Sequence, residues 1–469
     1  MKRLILTMLS VLAVATCAMA QLSLPRLVSD GMVLQRGSDV KVWGWAAPDS
    51  KVRISADWTG AVVCRSDSDG YWECMLATGT DTEPHEMTVS SRGERITVGD
   101  ILFGEVWICA GQSNMSMPVK GFRDQPVENS AGIVASAGSF RTVRMFTVAK
   151  KIDSKPQRDV KGGSWQSASP ATVADFSAVG YIFARKLNEE LKVPVGMINI
   201  SMGGSNVQAW VSRELLSTFP EVQLRPIDLS AKAPQREQCG IYNSMLYPSI
   251  RYTVAGAIWY QGENNIYTPD LYARMLPAMI GQWRELSGNA SMPFYMVEIA
   301  PYNYKKTPAR DAAFLREAQH RVVASTPHTA IICAADLGTP SCIHPPKKRE
   351  VGERLAAVAL HENYGRDLRC TFPEFVSATV SDGAVVVEFG NVAGELVLRP
   401  ADGRSGFEVA GADGEFRPAR AVADGKTVRV SSDEVPSPKY VRYAFSNDST
   451  ATLFDSEGVP AFPFRTDNR

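Results

Sequence analysis

The chain has 469 residues, among them 50 Lys and Arg and 50 Asp and Glu, so its formal net charge is zero. This balance argues against nucleic acid or an anionic membrane as a partner, because both require clustered basic side chains that displace counterions. A neutral or diffuse partner such as a glycan fits better, and the length predicts about two or three domains at ~100 to 200 residues each.

Residues 1–20 have the composition of a secretory signal peptide. Lys2 and Arg3 precede a mostly apolar run, which is followed by a small-residue cleavage site that ends at Ala20. We expect the mature chain to begin at Gln21 and to be exported, either to the periplasm or out of the cell. No later segment has the ~18 apolar residues of a membrane-spanning helix, so we expect no membrane anchor.

Residues 21–99 predict an N-terminal β domain. Short alternating strands at 40–45, 51–56 and 86–91 are separated by Pro, Gly and Asp turn residues. Such alternation is typical of strands that bury one face and expose the other.

The cysteines show no paired CxxC spacing of the kind that holds zinc, and we expect neither a metal nor a cofactor. Cys64 and Cys74 flank the turn residues 67–70 in what the pattern predicts to be a hairpin. For this pair a cross-strand disulfide in an oxidising compartment is one possibility, and the alternative is that most cysteines of the mature chain are small buried hydrophobic side chains.

Residues 100–365 change to buried strands that alternate with amphipathic helices, which predicts βα units on a parallel sheet. An apolar stripe from Phe176 to Leu191, with residues three or four apart, predicts a helix that covers this sheet. The predicted strands of the sheet are 106–110, 195–200, 255–260, 294–299 and 330–335.

Residues 366–469 return to short strands and predict a C-terminal β domain, with strands at 384–389, 396–398 and 427–430. The chain contains no internal repeat and no low-complexity linker. We therefore expect both β domains to pack on the central domain.

The candidate site lies where the strands of the central domain end, because open parallel sheets bind ligands beyond the carboxyl ends of their strands. Ser113 follows the first strand on a tight turn, where its hydroxyl can be exposed and its main-chain N–H can face a ligand oxygen. Capping of the next helix is the alternative role for this serine. Gly203 and Gly204 follow the second strand, and Gln261 and Glu263 follow the third.

His344 follows the last predicted strand and precedes a helix whose apolar face includes Val351, Leu355 and Val358. A lone histidine usually has a structural role, but a serine at the same sheet edge needs a neighbouring base to act as a nucleophile. Together, Ser113 and His344 indicate nucleophilic catalysis at this edge.

Several spaced segments resemble the sialate O-acetylesterase family of the SGNH, or GDSL-like, hydrolases. Their number and order make the resemblance specific, and it spans nearly the whole mature chain. It implies an SGNH-type three-layer α/β/α sandwich with a parallel sheet, and a serine esterase that removes O-acetyl groups from carbohydrate. The matching segments are GEVWICAGQSNM (104–115), GGSNVQAW (203–210), WYQGEN (259–264), LREAQ (315–319) and IHPPKKREVGERLA (343–356), with further matches at 30–36 and 460–466.

The resemblance also implies a role for individual residues. Ser113 is the nucleophile, and its N–H contributes to an oxyanion hole together with the N–H of Gly204. Gln261 lies where the family places a side-chain donor to the same oxyanion. His344 accepts the proton of Ser113, and acetate passes through an acetyl-Ser intermediate that water releases.

One position departs from the family pattern. SGNH enzymes commonly carry an aspartate two or three residues before the catalytic histidine, where this chain has Cys342 and Ser341. Three groups stay open as the partner that orients His344, namely Asp336, Glu263 and a main-chain carbonyl, and we favour the carbonyl.

Three further side chains have two open roles each. Arg316 either meets a substrate carboxylate, which suits sialic acid, or forms a structural ion pair. Trp210 and Tyr260 either stack on a sugar ring or pack in the core.

Two other functions stay open. The first keeps the mechanism but takes acetylated xylan or another plant polysaccharide as substrate, because the loops that choose between sugars cannot be positioned from the sequence. The second is a noncatalytic glycan-binding protein, suggested by the missing aspartate and the two β domains. The presence of both Ser113 and His344 argues against the second.

Overall fold

The structure, a computed structural model, describes residues 21–305, 308–401 and 403–468. The predicted signal segment, residues 1–20, lies outside the described residues. Within these ranges we find no helix with both the length and the apolar character that a membrane crossing requires.

The N-terminal segment consists of short strands: β1 (Val33–Gln35), β2 (Asp39–Trp45), β3 (Lys51–Ala56), β4 (Val62–Arg65), β5 (Tyr71–Ala77), β6 (His85–Ser91) and the longer β7 (Glu94–Gly111). β2 pairs with β5, while β3 pairs with β4 and β6. Buried and exposed residues alternate along β3 and β5, as a strand with one buried face requires. The predicted strands at 40–45, 51–56 and 86–91 fall within β2, β3 and β6.

A disulfide joins Cys64 of β4 to Cys74 of β5, which is one of the two predicted alternatives. The predicted hairpin is wrong, because β4 is hydrogen-bonded to β3 whereas β5 is hydrogen-bonded to β2. The turn at residues 67–70 therefore carries the chain from one ladder to another, and the disulfide links the two ladders. Cys109, Cys239 and Cys333 follow the other alternative and are buried free thiols.

The central region alternates helices with strands. Shorter helical turns lie at Ala137–Ser139, Val207–Trp210, Pro234–Arg236, Tyr242–Leu246 and Glu263–Asn265. The main elements are α1 (Ser113–Ser116), α2 (Ser130–Ser136), β8 (Val143–Thr147), β9 (Trp165–Ser167), α3 (Pro170–Val173), α4 (Ala178–Leu191), β10 (Val195–Asn199), α5 (Arg213–Leu216), β11 (Gly256–Tyr260), α6 (Pro269–Ser287), β12 (Phe294–Val297), α7 (Asp311–Ser325), β13 (Thr329–Ile332) and α8 (Lys348–Tyr364).

The strands of this region form a sheet in the order β13-β12-β11-β7-β10-β8-β9, in which β9 runs antiparallel to β8 and the other neighbours run parallel. Every residue of β10, β11 and β12 is buried, as expected for parallel strands covered on both faces. The sequence pattern does not predict β8 and β9, which form one edge of this sheet.

Aromatic contacts show that helices cover both faces of the sheet. Trp107 of β7 packs on Phe183 of α4, with ring centroids 5.1 Å apart. Ala110, also on β7, lies in register with Trp259 of β11, whose ring centroid is 5.9 Å from that of Trp283 on α6. Residues an odd number apart on a strand point to opposite faces, so α4 and α6 lie on opposite sides of the sheet. α8 packs beside α4 and α7 beside α6, and the predicted three-layer sandwich is confirmed.

Strand β7 connects the N-terminal segment to this sheet. Residues 94–101 of the strand pair with β6, and residues 105–111 pair with β10 and β11. β7 crosses the predicted boundary between residues 99 and 100 as one strand with a bulge at Asp100, and buried side chains on both sides of that boundary belong to one continuous core.

The C-terminal β region has its own core, which includes Val387, Val409, Val428 and Val441. It contacts the central region through the loop that follows β12. In this contact the N–H of Asn447 donates to the carbonyl of Ala309, a residue of that loop, at 2.8 Å. Its strands are β14 (Glu374–Ser381), β15 (Ala384–Gly390), β16 (Leu396–Leu398), β17 (Phe407–Ala410), β18 (Arg417–Pro418), β19 (Arg420–Asp424), β20 (Thr427–Ser431), β21 (Tyr440–Tyr443), β22 (Leu453–Asp455) and β23 (Phe464–Arg465).

Candidate active site

Ser113 lies on a tight turn between the end of β7 and the short helix α1. Gly111 has φ +130°, and a Cβ at this residue would lie 2.2 Å from the Tyr260 carbonyl oxygen, so the turn requires glycine. The N–H of Gln112 donates to the same carbonyl at 2.9 Å and fixes the turn against β11. Ser113 is half-buried, and within the described residues no hydrogen bond engages its hydroxyl.

The glycine turn after β10 lies directly against Ser113. A Cβ at Gly203 would be 3.5 Å from the Cβ of Ser113, and the N–H of Met202 donates to the Gly111 carbonyl at 2.9 Å. Gly204 has φ +75°. In the part of the chain that the structure describes, the N–H groups of Ser113 and Gly204 form no hydrogen bond, so both are available to an oxygen atom bound beside Ser113.

His344 lies in the loop between β13 and α8, and a hydrogen bond ties this loop to the Ser113 turn. The side-chain amide of Asn114 donates to the Ile343 carbonyl at 3.0 Å. The residue after Ser113 is thus joined to the residue before His344. Among the described residues, no direct hydrogen bond links the Ser113 hydroxyl to the His344 ring.

The imidazole of His344 contacts the loop that follows α1. Its Nδ1 is 2.5 Å from Oε1 of Gln125, and the ring of Phe122 meets it edge-on with centroids 5.1 Å apart. Burial, and secondarily the charge of Lys348, lowers the pKa of His344 to about 4. The imidazole is therefore neutral at neutral pH, as a general base must be.

Asn114 also joins two buried charged side chains. Its amide N–H donates to Glu263 Oε1 at 2.5 Å, and its amide oxygen accepts from Lys348 Nζ at 2.5 Å. Burial raises the pKa of Glu263 and lowers that of Lys348 to about 7. The Lys348 ammonium also lies 5.4 Å from the centre of the Tyr260 ring. This network holds the turn, β11 and α8 together beneath Ser113 and His344.

Gln261 differs from the expected oxyanion donor. Its side chain is fully buried, and its amide nitrogen donates to the Ser205 carbonyl at 3.2 Å and to Asn265 Oδ1 at 2.8 Å. Both amide hydrogens are therefore engaged within the protein, which leaves the main-chain groups of Ser113 and Gly204 as the donors.

Neither of the two carboxylates predicted as alternatives reaches His344. Asp336 accepts two hydrogen bonds of 2.7 Å from the guanidinium of Arg354, and Glu263 accepts from Asn114. The favoured main-chain carbonyl is also wrong, because the partner of the imidazole is the side chain of Gln125.

Three other predicted residues are sealed in the core. Arg316 is 1 % exposed and donates to the Ser446 carbonyl, so its guanidinium lies in the core, which favours the structural role over contact with a substrate carboxylate. Trp210 and Tyr260 are fully buried, which supports core packing over stacking on a sugar. An exposed arginine lies instead at the glycine turn: Arg236 donates to Asn264 Oδ1 at 2.9 Å and to the Gly204 carbonyl at 3.5 Å.

Within the described ranges, one group of side chains has ligand atoms close enough together to hold a metal ion. The ligand atoms of His361, Glu362 and Cys370 lie within 4.8 Å of one another. They surround the C-terminal end of α8, whereas His344 precedes its N-terminal end, about 20 Å away at 1.5 Å of rise per residue. This group therefore plays no part at Ser113.

Four residues at this site, Asn114, Lys348, Gln125 and Arg236, were not predicted from the sequence. Asn114 and Lys348 lie inside the motifs GEVWICAGQSNM and IHPPKKREVGERLA, so a signal for them existed. Gln125 lies in a loop and Arg236 ends the short helical turn Pro234–Arg236, and no periodic pattern or motif points to either residue.

Comparison with known proteins decides the family. Residues 104–361 match the model of a family described as carbohydrate esterase, sialic acid-specific acetylesterase, and this match covers more than half of the chain. The chain belongs to this family. Membership of this carbohydrate esterase family confirms the prediction that the protein is an esterase.

Relatives in this esterase family include the sialate O-acetylesterases of two mammals. The protein of Pongo abelii is 28 % identical over 379 residues, which are 72 % of this chain and 70 % of the relative. That of Mus musculus is 25 % identical over 449 residues, or 81 % of each chain. Among solved structures, a carbohydrate acetylesterase from Xanthomonas citri superposes with a TM-score of 0.87 at 34 % identity, covering 96 % of this chain and 100 % of that one.

Proposed function

We propose that this esterase removes O-acetyl groups from carbohydrate through an acetyl-Ser113 intermediate, and that O-acetylated sialic acid is its substrate. The observation that carries the proposal is the free hydroxyl of Ser113 beside the unengaged N–H groups of Ser113 and Gly204. The neutral imidazole of His344, on a segment tied to the same turn, supports it.

The first half of the reaction transfers acetate to the protein. Ser113 Oγ attacks the acetyl carbonyl carbon while Nε2 of His344 accepts the hydroxyl proton. The N–H groups of Ser113 and Gly204 stabilise the oxyanion, and one such donor contributes about 10²–10³ in kcat. The bond from the carbonyl carbon to the sugar oxygen then breaks, and His344 returns the proton to that oxygen as the sugar hydroxyl leaves.

The second half releases acetate. Water takes the place of the sugar, His344 accepts a proton from it, and the hydroxide oxygen attacks the acetyl carbonyl carbon. The ester bond to Ser113 breaks, and Oγ recovers its proton from His344. The same two N–H groups stabilise the second oxyanion.

The choice of an acidic sugar is supported by the names of the mammalian relatives and by Arg236. The guanidinium of Arg236 is exposed and hydrogen-bonds to Asn264 and Gly204, so its charge lies beside the proposed oxyanion hole. A guanidinium suits a carboxylate because its planar N–H groups match the two carboxylate oxygens. Arg236→Ala should therefore raise KM for O-acetylated sialic acid and leave KM for a neutral aryl acetate unchanged.

The test is acetate release from O-acetylated sialic acid and from acetylated xylan, assayed side by side. We expect release from the sialic acid, and loss of at least about 10³-fold of that activity in Ser113→Ala. Ser116→Ala is the matched control on the same helix, since its hydroxyl bonds to Ser201 at 2.9 Å. Release from xylan alone would favour the polysaccharide substrate, and full activity in Ser113→Ala would refute the mechanism.

We also propose that the protein is exported. The composition of residues 1–20 supports this, as does the Cys64–Cys74 disulfide, because disulfides persist in oxidising compartments. The N-terminal sequence of the protein from a cell envelope or culture fraction should begin at Gln21. Recovery of the uncut chain from the cytosol alone would contradict export.

A further inference from the structure

The partner of His344 Nδ1 is a neutral amide from a distant part of the chain. Gln125 Oε1 lies 2.5 Å from Nδ1, at the place where a serine hydrolase usually has a carboxylate. The acidic candidates are engaged elsewhere, Asp336 by Arg354 and Glu263 by Asn114.

The loop that carries Gln125 is held by its own main chain. The N–H of Phe122 donates to the Gln125 carbonyl at 3.0 Å, and the N–H of Gln125 donates back to Phe122 at 3.1 Å. Gly121 permits this closed turn with φ +81°, since a Cβ there would lie 2.6 Å from the Gln125 carbonyl oxygen.

The same loop is fixed to the segment that contains His344. The ring of Phe122 packs edge-on against the imidazole, and the N–H of Glu128 donates to the Pro346 carbonyl at 3.0 Å. Contacts thus lie on both sides of the Gln125–His344 pair. This restraint is what a side chain needs in order to hold an imidazole in one orientation.

We infer that Gln125 is the positioning residue of His344: its amide oxygen accepts the Nδ1 proton and so leaves the Nε2 lone pair free for Ser113. The inference rests on the proposed function, because it names the residue that sets the tautomer of the proposed base. An amide fixes the tautomer as a carboxylate does, but it carries no charge to stabilise the imidazolium.

Gln125→Ala tests the positioning role through kinetics on a neutral aryl acetate. We expect kcat to fall about 100-fold with KM changed less than about threefold, because the base loses its orientation while the acetyl pocket stays intact. Asp124→Asn is the matched control in the same loop, since the Asp124 side chain is 90 % exposed and pairs with Arg123. An unchanged kcat in Gln125→Ala would overturn the inference.

Gln125→Glu tests the contact through the pH dependence of kcat/KM, which would not change if Gln125 were merely structural. The isosteric carboxylate should raise the pKa of His344 by about one to three units, so the acid limb of kcat/KM moves to higher pH. The charge of Lys348 on α8, which also acts on the His344 imidazole, is the same in both proteins. An acid limb that stays in place would count against the contact.

Nitrogen-15 NMR of His344 separates this inference from the proposed function. The wild-type ring should be protonated at Nδ1, and Gln125→Leu should abolish that preference, whether or not the protein cleaves acetate. A ring protonated at Nε2 in an active wild-type enzyme would refute the inference and leave the esterase function standing. An inactive enzyme with an Nδ1–H ring would refute the function alone.

Discussion

The side-chain amide of Asn114 donates to the main-chain carbonyl of Ile343 at 3.0 Å, and this bond joins the neighbour of Ser113 to the neighbour of His344. Asn114→Ala removes the bond and leaves Glu263 and Lys348 without their common partner. We expect kcat to fall at least about tenfold, because small displacements of reacting groups are costly, while KM changes little. Steady-state kinetics on an aryl acetate measures both.

Asn188→Ala is the matched control for this prediction. Asn188 also donates to a main-chain carbonyl, that of Val193 at 2.6 Å, but it does so near the start of β10, away from the site. Its loss should lower the free energy of unfolding by about 1 kcal/mol and leave kcat unchanged. Equal kcat values for the two variants would mean that the Asn114 bond does not align the site.

Lys348→Met should destabilise the fold. The substitution leaves the amide oxygen of buried Asn114 without its donor and removes a positive charge that acts on Glu263, which costs about 1–3 kcal/mol. Urea unfolding followed by tryptophan fluorescence gives the free energy. Lys347→Met, at the exposed neighbouring position, should change it by no more than about 0.5 kcal/mol. A similar change in both variants would argue against the buried network.

The pH dependence of kcat/KM should report the environment of His344. The base must be unprotonated, so activity is lost as the pH falls through its pKa, which burial and Lys348 lower to about 4. We therefore expect kcat/KM on an aryl acetate to be nearly flat between pH 5.5 and 7, about where an ordinary histidine titrates. A midpoint near 6.5, with the fluorescence spectrum still that of the folded protein, would contradict the buried environment.

Reduction of the Cys64–Cys74 disulfide should lower stability without affecting catalysis. The bond closes a loop across a sequence separation of 10, for which chain entropy predicts about 2–3 kcal/mol. Cys64→Ser with Cys74→Ser should lower Tm and leave kcat unchanged, because β4 and β5 lie outside the Ser113 edge of the sheet. Cys370→Ser, which removes a free thiol, is the control. An unchanged Tm in the double variant would show that the bond does not form.

The sheet edge and its two reactive residues could be predicted because apolar runs reveal where buried strands end. The predicted strand at 255–260 differs from β11 by one residue, and Ser113 and His344 follow observed strands as expected. Side-chain direction could not be predicted: Gln261 does follow β11, but its amide turns to Ser205 and Asn265. A strand pattern predicts where the backbone lies, but it does not predict which acceptors a side-chain amide will bind.

The partner of His344 was beyond prediction for a different reason. Gln125 meets the imidazole across a sequence separation of 219, from a loop without helical or strand periodicity. Sequence spacing pointed to Asp336 and Glu263 because they lie near strand ends. Only the packing of the loop against the segment that follows β13 reveals the amide.

The uninterrupted course of β7 limits how this protein can be divided. The strand begins in the ladder with β6 and ends at the turn before Ser113. A fragment starting at residue 100 would keep the turn that carries Ser113 but would lose the first six residues of β7. Strand β6 would then lack most of its pairing partner. Truncation or exchange of modules in a chimaeric enzyme must therefore keep the N-terminal segment together with the central region, because residues 105–111 of the same strand pair with β10 and β11.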